Sequence, residues 1–402
     1  MKVLLLAPQP CHSDRGTPIA IDMTIATLAS AGYEIDLLTF PGGKDLDHPG
    51  LRVQRVGTWT GIDAIKVGFS AKKLWLDFLM LFDAIGMARR ERYDLVHAVE
   101  ESSFIALLLR ALFRVPYVAD IDSSMTTQLV DRWSALRPLR RLLAAIESIP
   151  TRFASSVVAM CDSLGEDAAR TRGSSDGVYV VKDVSLLDYY EPIDTEPPVL
   201  LRRLQAADAH LSMYVGNLER YQGIDLMLEG FAASRANAMN CHLIIIGGSA
   251  ASIEHYRQRA DVLGLRDNAH FLGPQPVQNL GVLMGYADVM VSPRTSGANT
   301  PLKLYSYLDS GKPVLATDLP THTQVVDNTQ ALLVAPSVQA MADGFDRLFD
   351  DGEIASEIAE RARRLVREKH SLQVFRRELL AIYAHISANI GAATELRSAE
   401  SG

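Results

Sequence analysis

Short apolar runs alternate with stretches of helical spacing from one end of the chain to the other. In the first half the runs are "KVLLLAP", "YEIDLLTF", "LRVQRV", "DLVHAVE", "PYVADID", "SVVAM" and "VYVVKDV". In the second they are "LSMYVGN", "CHLIIIGG", "AHFLG", "ADVMVSP", "KPVLATD" and "QALLVAP". Apolar runs without polar alternation suit parallel strands covered on both faces, and the amphipathic segments between them suit crossover helices. The pattern restarts after "DYYEPIDTEPP", a stretch rich in proline and acid that reads as a linker. The expected fold is therefore α/β, with two doubly wound, Rossmann-like domains facing each other across a cleft. The N-terminal domain is assigned to 1–190, the linker to 191–210 and the C-terminal domain to 211–370. A helix over 371–388 is expected to pack back towards the N-terminal domain, followed by a frayed tail at 389–402.

Composition narrows the function classes. A chain of 402 residues fits two domains of ordinary size, and its net charge of −8 argues against nucleic acid as a partner while allowing local basic patches. Cys11, Cys161 and Cys241 are scattered and in no metal-ligand spacing, as expected of a reduced, cytoplasmic chain. The apolar run Val3 to Ala7 is too short for a signal segment, and no run approaches the length of a membrane span.

In open α/β sheets ligands bind where the carboxyl ends of strands meet helix N-termini, so the candidate chemistry is sought there. The first such loop offers Gly16 and Thr17, which follow Arg15 just before a helix. Others carry Gly216, Asn217 and Arg220 in "YVGNLERYQG", Gly248 and Ser249 in "IIIGGSAAS", and Gly273 and Pro274 in "HFLGPQP". No G-x-G-x-x-G is present, so each loop alone is a weak signal, and ordinary tight turns account equally well for its glycine. The most informative stretch is "PRTSGANTPLKLYSYLDSGKPVLATD". Thr300 reads there as an N-cap and Pro301 as the first helical residue, after Asn299, with the amides of Leu302 and Lys303 free. Lys303 then sits against the positive end of the helix dipole, at a cost of roughly 0.3–1 kcal/mol that a bound phosphate would offset. Arg294 adds a second cation, and Ser306 shares a helix face with Leu302 and Lys303.

The order "YVGNLERYQGIDLMLEGF", "LIIIGG", "HFLGPQP", "ADVMVSP", "NTPLKLYSYLDSGKPVLAT" resembles the C-terminal half of the GT-B glycosyltransferases, specifically the retaining family-4 group. The N-terminal half resembles the same group through "RGTPIAIDMTIATLASAGYEIDLLTF", "DLVHAVE", "VPYVADIDSS" and "RRLLAAIES". The resemblance implies a nucleotide-sugar donor bound in the C-terminal domain, a glycan or lipid-linked acceptor bound in the N-terminal domain, and no required metal or other cofactor. Three departures stand out. Ala298 and Ser306 occupy the places of two usual glutamates, the second of which grips the donor ribose. Asn217 and Gln222 replace the usual arginine and lysine, leaving Arg220 as the nearby cation. Asp122, beside Asp120, stands where a histidine is frequent.

The resemblance implies same-face transfer, with the leaving diphosphate helping to deprotonate the acceptor and preorganised donors stabilising it. Arg220, Lys303 and the amides of Thr300 to Lys303 are the candidates for that task. Asp120, Asp122, Glu100 and Glu101 would position sugar or acceptor hydroxyls. Asp122 with Ser123 and Ser124 reads equally as a helix cap, and the same acids would permit a paired-carboxylate hydrolase on paper. A catalytically weakened nucleotide- or partner-binding protein is the competing reading, since so many motif positions depart; an epimerase would need carboxylates near the donor that are absent. Basic and aromatic residues in 66–92 (Lys66, Phe69, Lys72, Lys73, Trp75) and in 132–152 (Arg132, Trp133, Arg137, Arg140, Arg141) suit a peripheral contact with an anionic membrane surface, or a merely exposed basic face.

Overall fold

The computed structural model describes residues 1–11, 16–61, 70–191, 193, 196–297 and 299–400, with side-chain surroundings for all of these except 131, 132 and 391–400. The chain divides into two compact units, one of Met1–Lys182 together with the C-terminal segment from Phe375, the other of Asp183–Val374.

The first unit is built on seven parallel strands: β1 (Lys2–Cys11), β2 (Glu34–Gly43), β3 (Leu51–Arg55), β4 (Leu95–Val99), β5 (Tyr117–Ile121), β6 (Ser156–Ala159) and β7 (Val178–Val180). They lie in the order β3-β2-β1-β4-β5-β6-β7. Leu5 of β1 is in register with Leu37 on one side and His97 on the other, so the order reverses between β1 and β4. The second unit holds β8 (His210–Val215), β9 (Cys241–Ile246), β10 (Ala269–Gly273), β11 (Val289–Ser292), β12 (Val314–Thr317) and β13 (Leu332–Val334), in the order β10-β9-β8-β11-β12-β13. Here the reversal falls between β8 and β11, where Met213 faces Met290. Each apolar run quoted above forms one of these strands.

Burial explains why the runs lack alternation. Val3, Leu4, Leu5 and Leu6 are all fully buried, as are Leu243, Ile244 and Ile245, because helices cover both faces of each sheet. Burying each such side chain stabilises the fold by roughly 1.5–3 kcal/mol. Among the described residues no helix is long and apolar enough to cross a membrane.

Two segments differ from expectation. Residues 191–210 are not simply a linker, because Val199–Ala206 forms a helix after Pro198. Leu201 of that helix is fully buried in the same core cluster as Leu211 and Leu283, so apolar spacing outweighs the proline-rich prelude. At the C-terminus the helix runs Leu372–Glu400 rather than fraying from 389. The continuation "GAATELRSAE" is rich in alanine, glutamate, leucine and arginine and contains no proline, so nothing in it halts the helix.

Candidate active site

In the second unit the loops leaving β8, β9, β10 and β11 form a row. Gly216 follows β8 with φ 149°, and Gly247 follows β9 with φ 108°. A Cβ on Gly247 would lie 2.2 Å from the Gly216 carbonyl oxygen, so only glycine lets these two turns touch. Gly247 also donates its N–H to the carbonyl of Gly273, at 2.8 Å, tying in the end of β10. Gly248 and Ser249 come next. Ser249 caps the helix Ala250–Val262 in a reciprocal box with Ser252, so its hydroxyl is engaged in holding the helix start. Pro274 is exposed beyond Gly273.

Lys303 returns to this row from the helix Leu302–Asp309. Its Nζ donates to Gln222 Oε1 at 3.0 Å and lies 3.8 Å from the centroid of the Tyr214 ring. A Cβ on Gly216 would sit 3.0 Å from the same Nζ. Lys303 keeps some exposure as a residue, yet burial of its ammonium pushes its pKa well below the usual lysine value, and the Arg294 charge adds to the effect. Arg294, 5% exposed, directly follows Pro293 at the end of β11. Its Nη1 donates to the Asn299 carbonyl at 2.8 Å and to Thr321 Oγ1 at 2.9 Å, and its guanidinium lies 5.4 Å from the Tyr221 ring centroid. Thr317 Oγ1 donates to the Arg294 carbonyl at 2.6 Å, so backbone and side chain are both pinned. The Arg294 Nε is buried without a hydrogen-bond partner among the described residues. Burial lowers this guanidinium's pKa from its ordinary value.

Neither cation is in an ion pair among the described residues. Two enclosed positive groups with neutral partners form a site that is electrostatically incomplete until an anion enters. Beneath them His322 is fully buried, its Nε2 2.8 Å from Ser292 Oγ and its Nδ1 2.8 Å from the Thr317 carbonyl. Burial lowers its pKa to about 4, so it supports the network as a neutral ring.

Several expected roles are corrected here. Thr300 is not the N-cap: Pro301 is, at φ −73° and ψ 128°, with no side-chain cap, and the helix begins at Leu302. Pro301 fixes its own φ, and its ring steers Thr300 into extended backbone, which moves the start one residue onward. Thr300 is instead buried, its Oγ1 without a hydrogen-bond partner among the described residues. The amides of Leu302 and Lys303 head the helix, as the sequence suggested. Ser306 is 3% exposed and its Oγ accepts the Leu186 N–H at 3.0 Å, so it fastens the start of this unit rather than presenting a free hydroxyl. Asn217 and Arg220 are exposed at the same loop, and Arg220 makes no ion pair among the described residues. Ala298 lies outside the described residues. Tyr214 and Thr317 sit inside apolar runs, and Thr321 and His322 on the short helix Pro320–Thr323 after β12, so none of these buried polar side chains carries a period of its own.

In the first unit Gly16 and Thr17 head the helix Gly16–Ser30, Gly16 exposed; Arg15 lies outside the described residues. Asp120, at the end of β5, has Oδ2 3.0 Å from His97 Nε2. Glu100, at φ 50°, accepts the Ser123 hydroxyl at 2.8 Å. Glu101 is not available to a ligand: it forms an ion pair with Lys73, with which it shares a nearly enclosed position. Burial lowers the Lys73 pKa and raises that of neighbouring Asp77 to about 6. Asp122 is 9% exposed. The cap it was weighed for is supplied by Ser124, whose side chain accepts the Thr127 N–H, and by Glu147, which accepts the N–H groups of Met125 at 2.7 Å and Thr126 at 3.1 Å. No cluster of three or more His, Cys, Asp or Glu able to hold a metal occurs among the described residues.

Residues 15–182 match the family model for the glycosyl transferase 4-like domain, and residues 203–365 match that for glycosyl transferases group 1. The alpha-D-kanosaminyltransferase of Streptomyces kanamyceticus is 24% identical over 307 residues, 74% of this chain and 79% of the relative. The D-inositol 3-phosphate glycosyltransferase of Corynebacterium glutamicum is 26% identical over 293 residues, 69% of each. Among solved structures, sucrose-phosphate synthase from Thermosynechococcus elongatus superposes with a TM-score of 0.78 at 20% identity, covering 97% of this chain and 100% of that one. Anabaena HepE in complex with UDP-glucose gives 0.73 at 15% identity, with 96% and 100% covered.

Proposed function

We propose, on the premise that this chain belongs to the group 1 glycosyltransferases and has their GT-B fold, that Lys303 and Arg294 bind the diphosphate of its nucleotide-sugar donor. The enzyme would then move the sugar, with retention of configuration, to a glycan or lipid-linked acceptor. The observation that carries the reading is the pair of enclosed cations with neutral partners, backed by the amides of Leu302 and Lys303. Negative charge grows on the leaving diphosphate in the transition state, and fixed donors in an enclosed site stabilise it strongly. Two cations and a helix N-terminus supply the neutralisation that a divalent metal supplies elsewhere, so we assign the reaction no metal requirement. Gly216, Gly248 and Gly273 let the donor approach backbone, Asn217 and Arg220 offer exposed polar contacts beside it, and Gly16 and Thr17 belong to a corresponding loop of the first unit. Asp120, Asp122 and Glu100 are the acceptor-side carboxylates. HepE is solved with UDP and with UDP-glucose, which makes uridine diphosphate sugars the first donors to test. The test is transfer of labelled sugar into a membrane extract in the presence of a chelator, with the anomeric configuration of the product read by NMR. Inversion, or dependence on added metal, would overturn the corresponding part of the reading.

Donor binding should be proton-linked. Lys303 has a folded pKa depressed by burial, so in the empty protein it loses its proton at lower pH than an ordinary lysine. An anion beside it raises that pKa again. Between the empty-state pKa and the ordinary lysine value, binding a nucleoside diphosphate is therefore expected to take up a proton, and affinity to fall as pH rises through this window. Calorimetry in buffers of different ionisation enthalpy measures the uptake directly; the Lys303→Met variant should show none from this residue.

We also propose that the first unit associates peripherally with anionic membrane. The helix Ala71–Arg90 exposes Leu74, Trp75, Phe78 and Phe82, and the helix Arg140–Phe153 exposes Leu142, Ile146, Ile149 and Phe153. The helix Ser103–Phe113, which packs against both, exposes Leu108 and Leu112 between them. Exposed apolar side chains gathered on helices that pack together in this way suit an interaction or membrane surface. Exposed Lys72, Arg110, Arg114, Arg140, Arg141 and Arg152 lie on the same helices or at their ends. Lys73 drops out of the expected basic set because it is paired with Glu101, Arg132 is not described for its side chain, and Lys66 and Phe69 lie outside the described residues. The Phe78→Glu, Ile146→Glu double variant is expected to lose at least tenfold in sedimentation with vesicles containing phosphatidylglycerol, each site forfeiting roughly 1.5 kcal/mol or more of apolar insertion. Unchanged sedimentation would remove the proposal.

A further inference from the structure

His97 sits in the middle of β4, within the run "DLVHAVE", and is 1% exposed. Its Nε2 is 3.0 Å from Asp120 Oδ2, and its Nδ1 is 2.6 Å from the hydroxyl of Tyr383 on the C-terminal helix. Tyr383 is fully buried, its ring stacked on His97 at 16° between planes and met edge-on by Tyr33 at 5.6 Å. The three polar groups thus form a line from the closed interior of the first unit to the carboxyl end of β5. Asp120 is its one outward member, 17% exposed at the side chain, and its Oδ1 takes no hydrogen bond among the described residues.

We infer that His97 is a positioning residue: locked by Tyr383 in the tautomer protonated at Nε2, it turns the Asp120 carboxylate so that Oδ1 receives the acceptor hydroxyl. The inference rests on the proposed function for the role of Asp120, but its geometric half stands by itself. The Asp120 carboxylate can only accept from Nε2, and the Tyr383 hydroxyl, 2.6 Å from Nδ1, can donate there. With Nδ1 accepting, the ring proton of a neutral imidazole must be on Nε2, where it faces the carboxylate. One carboxylate oxygen is then held in place, and the plane of the group is fixed by the imidazole rather than by rotation in water. A carboxylate oriented in this way spends no rotational freedom when the acceptor hydroxyl arrives. The C-terminal helix therefore contributes to the acceptor side through a hydroxyl that never touches substrate.

Nitrogen-15 NMR of histidine-labelled protein tests the arrangement without any substrate. His97 is expected to carry its ring proton at Nε2, and Tyr383→Phe is expected to release it into a mixture with the Nδ1 form. Protonation of wild-type His97 at Nδ1, or an unchanged signal in Tyr383→Phe, would overturn the inference. Tyr383→Phe keeps the buried ring, so the fold is expected to persist, and far-UV circular dichroism with unchanged nucleotide-induced thermal stabilisation verifies this. In transfer assays the same variant should lose about tenfold in kcat/KM for the acceptor, the scale of one ordinary hydrogen bond, with the donor KM unchanged. Equal losses for donor and acceptor would mean a general structural role and would also overturn it. Absence of transfer by the wild-type protein would count against the function proposed above, while the NMR outcome still decides the geometry.

Discussion

Lys303→Ala is expected to remove most of the thermal stabilisation that a nucleoside diphosphate gives the protein, and to slow sugar transfer by about 10²–10³-fold, the scale seen when one preorganised donor to a developing anion is lost. The argument rests on position rather than on charge alone. Its Nζ is held by Gln222 Oε1 at 3.0 Å and by the Tyr214 ring, both neutral, so among the described residues no acid competes with the ligand for it. The same geometry predicts an opposite effect on the empty protein. Below the depressed folded pKa the lysine is charged in both folded and unfolded states, and the cost of enclosing it is fully present. As pH rises from the folded pKa to the ordinary lysine value, the unfolded chain binds the extra proton, and stability rises. Lys303→Met is therefore expected to leave the melting temperature of the empty protein at neutral pH unchanged or higher, while abolishing the ligand-induced shift. A melting temperature several degrees lower without ligand would show that the lysine is structural, and would sink the anion-site argument.

The second large effect is steric. Gly223 adopts φ 77°, and a Cβ placed on it would lie 1.8 Å from the Pro293 carbonyl oxygen. It stands between Gln222, which holds Lys303, and the helix Ile224–Ala233, while Pro293 adjoins Arg294. Gly223→Ala must therefore strain the backbone and separate two loops that place both cations. We expect it to destabilise the protein by roughly 3 kcal/mol, the upper range for a single substitution, because a left-handed conformation and a backbone clash act together. Donor-induced stabilisation should be lost with it, since Gln222 and Arg294 move apart. Urea unfolding together with nucleotide titration reads both quantities; a loss of stability under 1 kcal/mol with intact binding would contradict the packing described here.

The chain's pattern of apolar runs was enough to specify thirteen parallel strands and two α/β units, because strands covered on both faces need uninterrupted apolar sequence, and that requirement is local. The same local logic located the row of loops at Gly216, Gly248 and Gly273, and the helix that carries Lys303. It falls short where a neighbour in space outweighs a neighbour in sequence. Glu101 is closed off by Lys73, and the cap of Met125–Arg132, which the sequence assigns to Asp122 with Ser123 and Ser124, is made by Ser124 together with Glu147, 22 residues along the chain. Ser306 was placed by its helix face, yet a single N–H from Leu186 decides what its hydroxyl does. The line of Tyr383, His97 and Asp120 joins the C-terminal helix to strands β4 and β5, and no spacing in the sequence brings Tyr383 to the other two. Sequence alone determined the strands, the helices and the ends at which ligands would gather, since these depend on spacing and on burial averaged over a face. Only the tertiary structure decided which charges are paired, which are left for a ligand and which side chain orients another, because hydrogen bonds and ion pairs act over about 3 Å and their partners are brought together by the fold.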